Sequence, residues 1–218
     1  MVIVIPFNSR LNYLKITLAT LKEAMRNHPM PVILYNTSDS STETMPDIFK
    51  EFLDIKILNH IRYHWYQIDI LLPSIINDAM STYVDDYMIL LDSDTLVHPQ
   101  AIEKFKQMIA DNSDLGIGSL FNTINHSFLE KNTIIYGEKE VLGGFGWIIN
   151  KVAWDKYCKK IVEHWDVSAS KNISESGEFK NYCTINSYLE HIGFNGTHKN
   201  EKEIGHPMSI DRASNFFN

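Results

Sequence analysis

The sequence predicts an α/β protein in which a mostly parallel central sheet is flanked by helices. Three short apolar runs, Val2–Ile5, Val32–Tyr35 and Tyr87–Leu91, are typical of strands that are covered on both faces. Segments with helical periodicity separate these runs, and each run ends in a polar loop. This alternation predicts successive β-α-β units, which form parallel sheets.

The first half of the chain supplies the clearest elements. Leucines recur at helical spacing from Leu11 to Leu21 and predict a helix after the first strand. The polar turn Asn36–Ser41 ends the second strand. Three further elements are predicted before the third apolar run: a helix at Met45–Leu53, a strand at Ile61–Tyr66 and a helix at Ile68–Met80.

The second half of the chain changes in character. Ala101–Ala110 predicts a helix, and Leu115–Phe121 predicts a strand. Ile134–Tyr136 and Val141–Asn150 are predicted to pair with each other as a small β element. Closely spaced glycines in the second of these strands indicate either the close approach of a ligand or another chain segment, or a bulge.

The length and composition of the chain limit the classes of protein to which it can belong. A chain of 218 residues predicts a single domain, 1–218, with halves 1–98 and 99–218 that share one core. The net charge of -7 argues against nucleic acid as a partner, because such binding needs a basic surface. Cys158 and Cys183 predict reduced thiols and a cytoplasmic location. We expect no leader and no integral membrane contact, since no long apolar span is present.

Two carboxylates, Asp92 and Asp94, directly follow the Tyr87–Leu91 strand. Ligands of parallel α/β sheets bind outside the carboxyl ends of the strands, so we expect this turn to meet the loops Phe7–Arg10 and Asn36–Ser41. Two buried carboxylates side by side need a cation or a shifted pKa. Mg²⁺ and Mn²⁺ prefer oxygen ligands and often bridge carboxylates to phosphates. The sequence therefore predicts a divalent metal site here, with a solvated acidic turn as the alternative.

The order and spacing of these segments resemble the GT-A fold glycosyltransferases, and family 2 in particular. The resemblance extends over nearly the whole chain and covers the opening strand and turn, the loop near the nucleobase, the metal-binding segment and the acceptor-side segment. The residues corresponding to these four segments are Val2–Asn8, Tyr35–Ser38, Met88–Thr95 and Val141–Trp147. In addition, Ser74–Asn77 resembles the family's Ala-Ala-Arg-Asn segment, and Tyr188–Phe194 resembles the end of its helix that closes with Gly-Tyr or Gly-Phe.

The resemblance implies the transfer of a sugar from a nucleotide-sugar donor, with a UDP-sugar expected first, to a hydroxyl of a glycan, a lipid-linked sugar or a protein. It implies Mn²⁺ or Mg²⁺ as cofactor, held by Asp92, Asp94 and His206, with Asp94 at the catalytic centre. It places the acceptor over Gly144 and Trp147. The residues expected to bind the donor are Pro6, Asn8, Arg10, Asn36, Asn77, Asp92 and Ser93.

The sequence departs from the family at the general base. Counting back from Gly193–Phe194, taken as the end of a helix, puts Asn181–Tyr182 where inverting members carry Glu-Asp. An amide cannot accept a proton at neutral pH. The base is therefore expected to be Glu178 first and Glu175 second, unless the enzyme retains configuration and needs no such base.

Three other functions are weighed against this one. The missing Glu-Asp pair favours a non-catalytic nucleotide-sugar-binding domain of a larger protein. A haloacid-dehalogenase-type phosphatase also places Asp-x-Asp after a strand, but the usual following glycine is absent here. A nucleotidyltransferase needs a glycine-rich loop after the first strand, and Pro6–Arg10 contains no glycine.

Overall fold

The fold is described from a computed structural model for residues 1–8, 10–37, 55–59, 68–122, 126–130, 133 and 135–193, with the backbone alone for 55–59. The helices are α1 (Leu11–Ala24), α2 (Ile68–Thr82), α3 (Ala101–Asp111), α4 (Lys151–Tyr157) and α5 (Trp165–Glu175). The strands are β1 (Val2–Phe7), β2 (Val32–Asn36), β3 (Ile55–Asn59), β4 (Tyr87–Leu90), β5 (Thr95–Val97), β6 (Leu115–Ser119), β7 (Tyr136–Glu138), β8 (Trp147–Asn150), β9 (Lys180–Thr184) and β10 (Leu189–His191). The predicted helix at Met45–Leu53, the predicted strand at Ile61–Tyr66 and His206 lie outside the described residues.

Eight of the described strands form one sheet in the order β3-β2-β1-β4-β8-β6-β9-β7. β1 pairs in parallel with β2 and β4, β2 with β3, and β6 with β9. β8 is antiparallel to both of its neighbours, β4 and β6, and β7 is antiparallel to β9. The predicted α/β class with a mostly parallel sheet is therefore confirmed.

The predicted pairing of Ile134–Tyr136 with Val141–Asn150 is wrong. Only the last four residues of the second segment form a strand, β8, and it lies between β4 and β6 in the centre of the sheet. The first segment contributes Tyr136 to β7, which pairs with β9 at the edge. The physical reason is burial: Trp147, Ile148 and Ile149 are all fully buried, so consecutive residues on both faces of β8 must be covered.

Hydrophobic clusters cover both faces of the sheet. On one face, residues of α1 and α3 such as Leu18 and Phe105 pack with Ile3 of β1. On the other face, residues of α2, α4 and α5 such as Trp154 pack with Val4. Alternate residues of β1 thus enter opposite clusters, as the period of a strand requires. Among the described helices, none combines the length and the apolar character needed to cross a membrane.

We expect the Ile102→Ala substitution in α3 to lower the free energy of unfolding by about 2 to 5 kcal/mol, because it leaves a cavity in a packed core. Ile102 is fully buried. The matched control is Ile16→Ala in α1, where the side chain is 44% exposed, and its effect should stay within about 0.5 kcal/mol. Urea unfolding of both variants measures the difference; equal losses would contradict the packing described.

Candidate active site

The turn after β4 is fixed by backbone and hydroxyl groups of β1 and α1. The Leu91 amide donates to the Val4 carbonyl at 3.0 Å. The buried Thr17 hydroxyl donates to the Ser93 carbonyl at 2.9 Å and accepts from the Thr95 amide at 3.0 Å. The Thr17 side chain of α1 therefore fixes the backbone of the Asp92–Asp94 turn.

The register of the sheet gathers several loops at one edge. Phe7, the last residue of β1, lies opposite Asn36, the last residue of β2. Leu90 at the end of β4 lies opposite Trp147 at the start of the antiparallel strand β8. The loops after β1, β2 and β4 and the glycine-containing loop before β8 consequently open at the same edge. The Asp92–Asp94 turn lies in the middle of this edge.

The Asp94 carboxylate contacts two basic side chains. Arg10 Nη1 donates to Asp94 Oδ2 at 2.8 Å, and His191 Nε2 lies 3.3 Å from the same oxygen. The Arg10 guanidinium lies 4.4 Å from the centre of the Tyr13 ring, a cation–π contact that fixes its plane. The Asp94 side chain is only 8% exposed. Arg10, Asp94 and His191 form what we term the edge cluster.

His191 is the member of this cluster that the sequence does not reveal. It comes 97 positions after Asp94 and is brought there by a three-residue strand, β10, in which His191 pairs with Thr95 of β5. A further backbone bond, from the Ile192 amide to the Asp94 carbonyl at 2.9 Å, extends the pairing. A single histidine in a short strand carries no recognisable sequence signal.

The surrounding charges shift the pKa values of the two aspartates in opposite directions. Burial raises the pKa of Asp92, the negative charge of Asp94 raises it further, and the charge of His191 only partly opposes this. Burial also opposes ionisation of Asp94, but hydrogen bonds and charges from His191 and Arg10 outweigh it and lower its pKa. Burial likewise opposes the charged form of His191, yet Asp94 raises its pKa. The protein itself therefore neutralises Asp94, whereas Asp92 requires a cation or a proton.

The Asp92 carboxylate is accessible to a divalent cation. Within the described residues, the half-buried Asp92 carboxylate has no hydrogen bond or ion pair, so its oxygens are available. No group of three or more His, Cys, Asp or Glu side chains in the described ranges could hold a metal without other ligands. Mg²⁺ and Mn²⁺ are commonly held by one or two carboxylates, with water and substrate phosphates completing the shell. The site fits that mode of binding.

The glycine-containing loop before β8 connects the edge cluster to α5. The Gly144 amide donates to Asp166 Oδ2 at 3.0 Å. The Phe145 ring lies 5.3 Å from the His191 ring, edge to face. A Cβ on Gly144 would lie 2.7 Å from the Trp165 ring, so only glycine allows this close approach. The loop thereby places the Asp166 carboxylate at the same edge as the edge cluster.

The structure corrects the expectation that Trp147 offers a ring to an acceptor. Trp147 is fully buried, its Nε1 donates to the Gly143 carbonyl at 2.6 Å, and its ring lies 4.8 Å from that of Trp165. A ring enclosed in this way cannot stack on a sugar. Gly144, by contrast, lies in the loop at the edge, as expected from the sequence.

The two glutamates predicted as bases lie at the other edge of the sheet. Glu178 precedes β9, which runs parallel to β6 and β4, so it lies at the amino end of these strands. Its exposed carboxylate accepts from Lys156 and from the Tyr157 hydroxyl. Glu175 ends α5, whose first turn is the part near Gly144. The structure does not bring either glutamate to Asp92 or Asp94.

The prediction that Asn181–Tyr182 corresponds to the family's Glu-Asp pair is also wrong. Residues 189–191 form the strand β10 and not the end of a helix, so the count back from Gly193 has no structural basis. Asn181 is buried in β9, where its amide donates to the carbonyls of Glu140 and Ser170. The Asn181 amide therefore stabilises the core. Its presence at position 181 does not indicate which residue acts as a catalytic base.

The remaining predicted donor-binding residues divide into two groups. Asn77 bridges α2 and α4, since it donates to the Lys159 carbonyl at 3.1 Å and accepts from Trp154 Nε1 at 2.8 Å. These two hydrogen bonds engage the Asn77 amide in the packing of the helices. The others belong to the carboxyl edge: Asn8 is exposed, Pro6 and Ser93 are half-buried, and Asn36 is buried.

Comparison with solved structures shows that this chain shares the GT-A fold. TarS from S. aureus aligns with a TM-score of 0.60 at 10% identity, over 86% of this chain and 36% of that one. Residues 1–349 of TarS in complex with UDP-GlcNAc align with a TM-score of 0.60 at 10% identity, over 86% and 57% of the two chains. The mannosyltransferase PcManGT from Pyrobaculum calidifontis, in complex with GDP-Man and Mn²⁺, aligns with a TM-score of 0.57 at 10% identity, over 83% of this chain and 53% of that one.

The sequence itself identifies the family. Residues 2–152 match Glycosyl transferase family 2, and the chain belongs to this family. Among curated proteins, no sequence matches the chain significantly. The chain spans 36% to 59% of the length of the solved structures named above and their close variants. At this identity the structural likeness shows the fold alone, so donor and acceptor are matters for proposal.

We expect the Gly193→Ala substitution to disturb the edge cluster. A Cβ at Gly193 would overlap Asp94 Oδ2 and lie 2.8 Å from Arg10 Nη2, and such overpacking should lower the free energy of unfolding by about 1 to 3 kcal/mol. Gly143→Ala is the control, because its Cβ would meet only the His126 ring at 4.0 Å. Its effect should stay below about 1 kcal/mol. Urea unfolding that ranks the two variants the other way would contradict the close approach of Gly193.

Proposed function

We propose that this chain is a metal-dependent glycosyltransferase that moves a hexosyl group from a nucleotide-sugar, with UDP-sugars tested first, to a hydroxyl acceptor. The observation that carries this proposal is the combination, at the carboxyl edge of the sheet, of the Asp92 carboxylate, which has no partner among the described residues, with the basic side chains of the edge cluster. Membership of the family supports the reaction type. The two buried free cysteines agree with the cytoplasmic location that we propose.

The donor side must stabilise a leaving diphosphate. Cleavage of the bond between the sugar and its diphosphate builds negative charge on the phosphate oxygens, and fixed cations at that position lower the barrier. Arg10 and His191 supply positive charge at the edge. A divalent ion held by Asp92 would supply Lewis-acid stabilisation of the same oxygens. Asn36, the last residue of β2, and Asn8, which follows β1, lie at the carboxyl edge of the sheet and are proposed to contact the nucleotide.

The acceptor side needs a group that takes a proton from the attacking hydroxyl, and we propose Asp166 for this role. Its Oδ2 accepts from the Gly144 amide, and its Oδ1 accepts from the Val167 amide at 2.9 Å. Both bonds orient the carboxylate at the edge of the sheet. In the proposed step the acceptor oxygen bonds to the sugar carbon, its proton passes to Asp166, and the diphosphate leaves with the electron pair of the broken bond.

We expect one class of nucleotide-sugar to be hydrolysed or transferred only when Mn²⁺ or Mg²⁺ is present. A panel of UDP-, GDP- and dTDP-sugars, assayed for nucleotide release with the metal and with EDTA, measures this. Asp92→Asn should lower turnover by at least about a hundredfold, because it removes the proposed metal ligand. Failure of the wild-type chain to bind or turn over any donor would refute the proposed function.

We expect Asp166→Asn to lower transfer to an acceptor by about a hundredfold or more while donor binding is retained, because an amide cannot accept the proton. Glu178→Gln is the matched control and should leave the rate of transfer unchanged, since Glu178 lies at the opposite edge. Acceptor-dependent nucleotide release and the affinity for UDP are measured in parallel. A larger loss of transfer rate in Glu178→Gln than in Asp166→Asn would contradict the role proposed for Asp166. It would favour Glu178, the residue that the sequence predicted as the base.

A further inference from the structure

We propose that Asp69, in the first turn of α2, is a positioning residue for sugar transfer. Its carboxylate binds the first backbone amide of α5 and thereby fixes the place of Asp166 in that helix. This role rests on the proposed function of Asp166 as the proton acceptor. Asp69 acts from a second helix and through the backbone, 97 positions before the residue that it positions.

The residue that precedes α5 does not cap this helix. The first amides of any helix lack partners within the helix and need acceptors from elsewhere. His164 stands at the capping position, but within the described part of the chain its side chain makes no capping hydrogen bond. Its backbone has a φ of +43°, in the left-handed region that residues other than glycine rarely adopt. Such a conformation persists only where neighbouring contacts hold it.

Asp69 supplies the acceptor that His164 does not. Asp69 Oδ1 accepts from the amide of Trp165, the first residue of α5, at 2.9 Å. Asp69 itself belongs to the first turn of α2. Negative charge is favoured at the amino end of a helix, where the partial charges of the backbone are positive. One carboxylate thus serves the amino ends of two helices and links α2 to α5.

Trp165 transmits this link to Asp166. The Trp165 side chain is only 5% exposed, and its ring lies 4.8 Å from that of Trp147. The same ring lies so close to Gly144 that a Cβ there would be 2.7 Å from it. The next residue, Asp166, accepts from the Gly144 amide at 3.0 Å. A shift of the Trp165 backbone would therefore move the Asp166 carboxylate relative to the loop before β8.

The position of this carboxylate matters because proton transfer needs a hydrogen bond between the base and the attacking hydroxyl. A displacement of about 1 Å can lower a rate by as much as about a hundredfold. Without Asp69, the Trp165 amide loses its acceptor and the first turn of α5 is free to fray. We therefore expect Asp69 to affect the rate of transfer through Asp166 and to leave donor binding unchanged.

The test is a double-mutant cycle on the full chain. Asp69→Ala should lower kcat for transfer about tenfold, while the affinity for UDP stays within about twofold. In the Asp166→Asn background the same change should alter the residual kcat by less than about twofold, because no base is left to position. Asp69→Asn keeps an oxygen that can accept from the Trp165 amide, so it should recover most of the lost rate.

Ile102→Ala is the control for a general loss of stability and should leave kcat unchanged, since Ile102 lies in the core on the other face of the sheet from α5. Equal losses of kcat from Asp69→Ala in the two backgrounds would overturn the positioning role. An Asp69→Asn variant as slow as Asp69→Ala would also overturn it. If circular dichroism shows that Asp69→Ala is unfolded, Asp69→Ser, whose side chain is one bond shorter than that of Asp69, replaces it in the cycle.

Hydrogen exchange of the Trp165 amide, followed by NMR, tests the bond without any assay of activity. Exchange should be faster in Asp69→Ala than in wild type, because the amide has lost its acceptor. Unchanged exchange in an active enzyme would overturn the role of Asp69 and leave the glycosyltransferase function standing. A wild-type chain that transfers no sugar would instead refute the proposed function and the catalytic role of Asp69 with it, so the two failures are distinguishable.

Discussion

The ion pair between Asp94 and Arg10 is the interaction on which the geometry of the site depends. Asp94 lies at the end of the central strand and is almost fully covered, so its charge is tolerable only because Arg10 and His191 oppose it. Arg10 comes from the loop after the first strand, and His191 from the far end of the described chain. One carboxylate thus ties together three segments that the sheet brings to the same edge.

The same cluster contacts the glycine-containing loop before β8, and this loop contacts α5. The Phe145 ring contacts His191, and the preceding residue in the loop, Gly144, donates to Asp166. A displacement of β10 would therefore alter contacts both at the Asp92–Asp94 turn and at the start of α5. This coupling is carried by contacts of a few side chains and needs no large motion of the fold.

At this edge of the sheet, burial disfavours charged side chains, while opposite charges nearby favour them. The net effect differs from one residue to the next. The polar atoms of Asn181 and Asn77 are largely used for packing within the core or between helices. Asp92 is the carboxylate at the edge that finds no such partner in the described residues. A carboxylate without a partner among the described residues, at the same edge as the basic side chains of Arg10 and His191, is the kind of group that a metal and a phosphate can use.

The sequence by itself determined the α/β class, the strands that end at the edge and the Asp92–Asp94 turn, because buried strands and polar turns leave local patterns of residue type. It also pointed to the family. Only the tertiary structure decided that His191 joins Asp94, that Asp166 and not Glu178 lies at the edge, and that Trp147 is enclosed. Those facts follow from pairings between distant segments, β10 with β5 and β8 between β4 and β6, which no local pattern encodes.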